Sequence, residues 1–415
     1  MARTIEQLAH SARLASRAVG ALDTGTKNAV LHALAGAIED REAEILGANA
    51  EDMGAAMAFE LPAPKLKRLE LTRGGLAQMR DGLAQIANLP DPVGEVTRAY
   101  QTRAGLRVER VRAPLGVVAM IYEARPGVTV DAFALCFKAG NACVLKGGRE
   151  AARSNHLFEA ITRAVLADHG APEEAIVAIT TSDREEMKRL LVCVDDVDLV
   201  IPRGGEGLIR FVREHSKIPT VQHDRGVCHC YVDARADLDK ALEIVATGKT
   251  SAPATCNALE CVLIHEAVAG VFVPRLAERA HADGFEIRGD KRVMELAPDA
   301  TPATPADFGR EYLGPVLAAR VVPDVDRAIE HIQRHGSNHT EAIVTGDAGV
   351  ADRFCREVQS SCVVVNASTR FNDGFSLGLG AEIGISTSRI HAYGPMGLEE
   401  LTCQRWVVRG DGQTR

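Results

Sequence analysis

GVVAMIYEARPGVTVDAFALCFKAGNACVLKGG, residues 116–148, decides how the chain folds. Its apolar runs, 117–122 and 142–146, lack the alternation of a half-exposed strand and are separated by a helical stretch ending at Lys138. Short continuous apolar runs joined by helices are strands buried on both faces, as in parallel βαβ units. The rhythm continues with a helix from Ser154, a run at 175–180, a helix over 184–191 and a run at 197–201. These predict a parallel sheet with helices on both faces, which binds nucleotides at the carboxyl ends of its strands. No GxGxxG follows any of these runs. Two other glycine loops stand in the right places: Lys146-Gly147-Gly148-Arg149, and Pro202-Arg203-Gly204-Gly205 continuing into Glu206-Gly207. Glycines at a helix start leave backbone N–H groups open to phosphate oxygens, although such turns after strands are ordinary.

Upstream, 4–22 and 26–58 read as helices, the latter with Val30, Leu34, Ile38 and Ile45 on one face. A third helical pattern, 66–87, is broken near Gly74-Gly75 and closed by Leu89-Pro90-Asp91-Pro92. Residues 98–114 form a polar hairpin around Ala104-Gly105 with no clear core face, either a surface hairpin or an arm pairing with another subunit. Downstream, 237–249 is helical. A second α/β rhythm runs from 259 to 345, with strands at 316–322 and 341–345 and a helix at 325–335. A β run at 361–365, a glycine-rich loop over 371–397 and a last strand at 401–408 complete the chain.

At 415 residues the chain exceeds one ordinary core, so two large domains are expected. A hydrophobic share of 46% with 25% charged residues is that of a globular enzyme, and a net charge of -8 argues against general nucleic-acid binding. The amphipathic N-terminus lacks a signal peptide's apolar centre, and no window approaches the ~20 apolar residues that span a bilayer. Ten cysteines at irregular spacing give no disulfide framework and point to reduced thiols in the cytoplasm. Chelation by Cys228-His229-Cys230 on one strand is awkward, so no metal is expected.

The chemistry falls at 250–260, TSAPATCNALE. A thiol attacking a carbonyl carbon needs thiolate character and donors for the developing oxyanion. Small residues precede Cys256, Asn257 offers an amide donor beside it, and 261–264 is an apolar strand. Alone, such a cysteine is more often a small buried hydrophobe; its context assigns it.

The chain resembles the aldehyde dehydrogenase superfamily, on LPDPVGEV from Leu89, PLGVVAMIYEARPGVT from Pro114, KAGNACVLKGG from Lys138, VDLVIPRGGEGLI from Val197, CNALE from Cys256 and EIGISTSRIHAYGPMGLEEL from Glu382. PRGG and the last segment match its acyl-phosphate-reducing branch. The resemblance implies an α/β fold of two parallel-sheet domains plus a small β oligomerisation unit. It divides the chain into an NADP-binding domain (1–97 and 115–250), a catalytic domain (251–385) and an oligomerisation hairpin with C-terminal strand (98–114 and 386–415). It makes Cys256 the nucleophile, with Lys146 on the adenosine ribose and Glu311 on the nicotinamide ribose.

Three departures from other aldehyde dehydrogenases are informative. Arg125 stands where the oxyanion-binding asparagine is expected and suits a phosphoryl group, which an arginine clamps in bidentate fashion. His223 stands where a glutamate would activate water. Arg149, three residues after Lys146, replaces the acid of NAD-preferring relatives and favours NADPH. The implied reaction is reduction of L-glutamyl 5-phosphate to L-glutamate 5-semialdehyde through a thioester on Cys256, in proline biosynthesis. The implied partners are further copies of the chain and the kinase supplying the acyl phosphate, glutamate 5-kinase. An ordinary semialdehyde dehydrogenase and a catalytically silent binding module are the alternatives.

Overall fold

In the computed structural model, which describes residues 3–179, 183–221 and 225–414, the strand Val117–Tyr122 is buried at all six positions. It pairs in parallel with Ala142–Lys146 on one side and Leu199–Arg203 on the other, and Ile176–Ala178 lies beyond Ala142–Lys146. The chain steps outward through two strands and then crosses back to the opposite side of Val117–Tyr122. Loops leaving the adjacent strands Val117–Tyr122 and Leu199–Arg203 therefore diverge, and that switch point is where such sheets hold ligands.

This sheet belongs to a unit formed by Met1–Gln222, Gly378–Gly384 and Met396–Arg415. Its first helix, Ile5–Val19, starts with a reciprocal Thr4/Gln7 capping box and places Ile5, Ala9 and Ala12 in the sheet's core. Where one helix is expected over 26–58, there are two, Thr24–Asp40 and Glu42–Ala58. Arg41 leaves helical geometry (φ −106°, ψ 20°) without any proline or glycine to announce it. Two acids, Glu42 and Glu44, then open the new helix at its positive end. The other break also moves: helices Ala63–Leu69 and Arg73–Asn88 part at 70–72, and Thr72 caps the second by accepting from Gly75 N–H at 3.0 Å. The two glycines lie inside that helix's first turn.

The expected hairpin is present as Val96–Gln101 and Arg107–Pro114, and the last strand, Thr402–Arg409, pairs antiparallel with its second arm. This three-stranded sheet keeps Val96, Tyr100, Trp406 and Val408 exposed. Asn141 ties it to the unit by accepting from Gly116 N–H and donating to the Leu401 carbonyl, both at 2.8 Å.

The other unit comprises His223–Leu377 and Ile385–Pro395. Its sheet is parallel, in the order Thr301–Pro302, Glu286–Gly289, Val316–Val322, Leu259–His265, Cys228–Val232, Thr340–Val344, Cys362–Val365. Residues 228–250 lie with this sheet rather than with the 115–250 segment set out above. Cys230, Val232, Val262 and Ile264 face one core; Tyr231, Cys261 and Leu263 face another on the opposite side of the sheet. Among these apolar strands, His229, Glu260 and Glu341 are fully buried. Among the described residues no helix is long and apolar enough to cross a membrane.

Candidate active site

In the first unit the glycine loops stand on a buried polar chain. Tyr122 Oη lies 2.7 Å from Thr129 Oγ1, which donates to Asn155 Oδ1 at 2.9 Å. A Cβ on Gly147 would sit 2.1 Å from Asn155 Nδ2 and would displace that buried amide, and one on Gly204 would sit 2.7 Å from Leu208 Cδ2 and would push the leucine tip aside; as glycines, both keep their backbone open. Gly205 caps the helix Glu206–His215. A cleft of about 560 Å³ is lined by Tyr122, Glu123, Lys146, Gly148, Arg149 and Phe211, among others. Half-buried Lys146 donates to the Gly147 carbonyl at 3.0 Å, and burial lowers its pKa. Exposed Arg149 lies over the Phe59 ring at 5.7 Å, and Lys65 stands 3.6 Å from Glu123. The helical lead-in thus supplies two residues near this cleft, Phe59 and Lys65, that sequence reasoning missed. Open glycine backbone beside two cations fits the phosphates and ribose of a dinucleotide.

Other expected residues in this unit are placed differently. Pro202 is buried inside its strand opposite Ile121 and, as proline, has no N–H to give. Arg203 pairs with Tyr122 and turns toward Gly384, where a Cβ would come within 2.9 Å of its guanidinium. Neither belongs to the cleft lining. Arg125 is exposed at the end of Val117–Tyr122. It follows Ala124, whose φ of 40° is unusual for a residue with a Cβ. Glu150 holds that turn by accepting from Ala124 N–H at 2.7 Å.

In the second unit Cys256 is half-buried at the amino ends of the strands, in a turn closed by Ala258 N–H to the Thr255 carbonyl at 3.0 Å. Three contacts fix its backbone. A Cβ on Gly226 would lie 2.0 Å from the Cys256 oxygen, so that approach admits only glycine. The Cys228 thiol, kept protonated by burial, donates to the same oxygen at 3.2 Å. On the far side Arg370 donates to Thr255 Oγ1 at 2.6 Å and to Ser251 Oγ at 3.3 Å. Glu311 accepts from the Gly226 N–H; burial raises its pKa, and this bond and the charges of Arg225 and Lys249 oppose the rise. Beneath these residues lies a fully buried ion pair, Lys249 to Glu260 at 2.7 Å, with Lys249 also donating to the Gly314 carbonyl at 3.1 Å.

The expectation for Asn257 needs correction. Its amide donates to the Arg370 and Asn372 carbonyls at 3.2 and 3.1 Å, and its oxygen accepts from Thr255 at 3.0 Å. Both N–H bonds are engaged, so the side chain ties the Cys256 turn to 370–372 instead of offering an oxyanion donor. His223 lies outside the described residues. Gly226, Cys228, Arg370 and Lys249 carried no motif, and only their tertiary neighbours reveal them.

Residues 1–285 match the aldehyde dehydrogenase family. Over 411 residues, 99% of each chain, the sequence is 51% identical to the gamma-glutamyl phosphate reductase of Xylella fastidiosa strain 9a5c. It is 49% identical over 412 residues to that of Xanthomonas axonopodis pv. citri strain 306, covering 99% of this chain and all of the relative. The crystal structure of gamma-glutamyl phosphate reductase from Thermotoga maritima superposes with a TM-score of 0.98 at 39% identity, covering both chains completely. The chain belongs to the aldehyde dehydrogenase family, which implies a nicotinamide cofactor. These full-length relatives at about half-identical sequence are all gamma-glutamyl phosphate reductases.

Proposed function

We propose that this chain reduces L-glutamyl 5-phosphate to L-glutamate 5-semialdehyde, releasing phosphate, with NADPH as reductant. What supports the reading most is the half-buried Cys256 thiol on a turn immobilised by Gly226, Cys228 and Arg370, in a chain so close to the reductases throughout. Cys256 Sγ attacks the γ-carbonyl carbon. The C–S bond forms, the oxyanion collapses and the C–O bond to phosphate breaks, the phosphate leaving with the electron pair. Phosphate needs little proton assistance, so the chain's main task is to hold the oxyanion. With the Asn257 side chain engaged elsewhere, the Cys256 backbone N–H is the candidate donor. Lys146, the glycine loops and Glu311 would hold NADPH, which when bound would be the source of the hydride that the thioester carbon takes up. The resulting thiohemiacetal releases aldehyde and restores the thiol.

Arg125 is assigned to the phosphoryl oxygens, Lys146 with the 147–148 backbone and Gly204-Gly205 to the dinucleotide, Arg149 to the 2′-phosphate and Glu311 to the nicotinamide ribose. The exposed apolar residues of the three-stranded sheet fit pairing between copies of the chain. A complex with the kinase that makes the unstable acyl phosphate fits the chemistry, and ten thiols fit a reducing cytoplasm.

The decisive assay runs the reaction backwards. Oxidation of glutamate semialdehyde with NADP is expected to require phosphate, because only phosphate resolves the thioester, and arsenate is expected to substitute. Steady NADPH formation without either anion would instead identify a hydrolytic aldehyde dehydrogenase.

A further inference from the structure

The second unit's sheet carries a polar cluster on the face turned away from Cys230 and Val232. His229 and Cys261 are lateral neighbours on adjacent parallel strands, and Glu341 is the neighbour of His229 on the other side. The helix Val325–His335 covers them with His331. All three candidate ligands are nine-tenths buried or more: His229 at 0%, Cys261 at 1% and His331 at 5%. One ligand atom from each lies within 4.8 Å of the other two, and Cys261 Sγ is 3.8 Å from His331 Nε2.

The hydrogen bonds leave one atom over. Glu341 Oε2 stands 2.9 Å from His229 Nδ1 and also accepts the His229 backbone N–H at 2.9 Å. That carboxylate places the proton of a neutral ring on Nδ1 and directs the Nε2 lone pair into the cluster. Nε2 has no hydrogen-bond partner among the described residues. Interiors rarely leave a buried acceptor in that state, whereas a carboxylate–histidine pair with its far nitrogen exposed to soft donors is how proteins orient a metal ligand.

We propose that His229 Nε2, Cys261 Sγ and His331 hold a divalent thiophilic cation of the zinc class, at a site distinct from the Cys256 turn. Two nitrogens and a sulfur are zinc's own donor set. A tetrahedral ion would draw the ligand atoms to roughly 3.3–3.8 Å from one another, a small contraction from their present spacing. As the S–metal bond forms, the Cys261 proton leaves to solvent. Arg320, which donates to His331 Nδ1 at 3.1 Å, must turn away so that His331 can move its own proton to Nδ1 and coordinate through Nε2. An adjoining cavity of about 310 Å³, lined by Arg320, Glu330, His331, Arg334 and His335 among others, provides the entry and room for a fourth, solvent ligand. The ion would clamp the strands Cys228–Val232 and Leu259–His265 to the helix, bracing from behind the strand start whose Cys228 thiol holds the Cys256 carbonyl.

The sequence reading placed no metal at Cys228-His229-Cys230. His229 points to the opposite face from its two neighbours, and its partners come from 261 and 331, so no local spacing reveals the set.

The test uses chelator-treated full-length Cys256→Ser protein, titrated with Co2+ and then competed with Zn2+. One cobalt per chain is expected, with tetrahedral visible bands and a near-ultraviolet thiolate-to-cobalt band, displaced by one zinc. Adding Cys261→Ala should abolish the near-ultraviolet band. Glu341→Gln should keep the band but weaken zinc by roughly 10–100-fold, as loss of an orienting carboxylate does. Absence of stoichiometric binding would overturn the proposal, as would the same band in Cys261→Ala. If Cys261→Ala does not fold, zinc affinity in Glu341→Gln within about threefold of its parent overturns it instead.

Discussion

Replacing Gly226 with alanine tests the geometry of the proposed nucleophile, Cys256, most directly. The added methyl would lie 2.0 Å from the Cys256 carbonyl oxygen, 2.6 Å from its carbon and 2.7 Å from its Cα. All three are backbone atoms, so no rotamer change relieves the clash, and the turn must retreat by roughly 1 Å or more to restore van der Waals contact. That retreat also pulls the carbonyl from the Cys228 thiol now donating to it at 3.2 Å. A displacement of about 1 Å at a reacting atom costs on the order of 100-fold in rate, or about 2.7 kcal/mol of barrier. The assay is steady-state NADP reduction by glutamate semialdehyde in saturating phosphate, with NADPH affinity and the thermal midpoint measured alongside. kcat should fall about 100-fold, with far less change in NADPH affinity, because the glycine loops, Lys146 and Arg149 are untouched and only Glu311, which accepts from the Gly226 N–H, links the change to the cofactor. Gly36→Ala, on a helix position with nothing within 4 Å of the new methyl, is the control and should leave the rate unchanged. A folded Gly226→Ala enzyme with kcat within about threefold of its parent would refute the argument.

Cys256→Ala should abolish turnover while NADPH still binds, since it removes the covalent step and no cofactor contact; loss of cofactor affinity as the main defect would overturn the assignment. Arg149→Glu should shift preference from NADPH toward NADH, measured as the ratio of the two kcat/KM values, because it replaces a cation suited to a 2′-phosphate with an acid. Lys249→Met strips the buried Glu260 of its ionic partner, so that the carboxyl must stay charged and unpaired or take up a proton, and should cost up to about 3–5 kcal/mol in urea unfolding, most of it recovered in Lys249→Met/Glu260→Leu. The same pair sets a pH dependence: burial raises the Glu260 carboxyl from 4.5 to about 7, with Lys249 opposing. The folded state therefore holds that proton more tightly than the unfolded one, and the stability it contributes, full below pH 4.5, is lost as pH rises through about 7. In Lys249→Met, where nothing opposes the rise, the fall in unfolding midpoint should continue to higher pH than in the parent, and it should vanish in the double variant.

Burial decided which parts of the fold could be read from sequence. Val117–Tyr122 and Val316–Val322 were legible because strands in a parallel sheet are apolar throughout, and Val325–His335 because one helical face is apolar. The break at Arg41 was not, because neither proline nor glycine marks it and the turn depends on how two helices pack. The central, fully buried place of Cys228–Val232 in the sheet was hidden by its composition. A strand holding two cysteines and a histidine does not look like the interior of a sheet, yet all five residues are buried.

The site divides along the same line. Glycine loops after strands, and a cysteine among small residues, are local patterns and could be placed by number. What makes Cys256 a presented thiol is not local. The turn depends on a missing side chain at 226, a buried thiol at 228 and a guanidinium at 370, all well removed from 256 in sequence, and none has a recognisable motif. Asn257 shows the same limit from the other side. Its adjacency to Cys256 made it an attractive oxyanion donor, yet the carbonyls of Arg370 and Asn372 occupy both its N–H bonds. Sequence adjacency brings the amide near Cys256, but hydrogen-bond competition from residues more than a hundred positions away decides what that amide does.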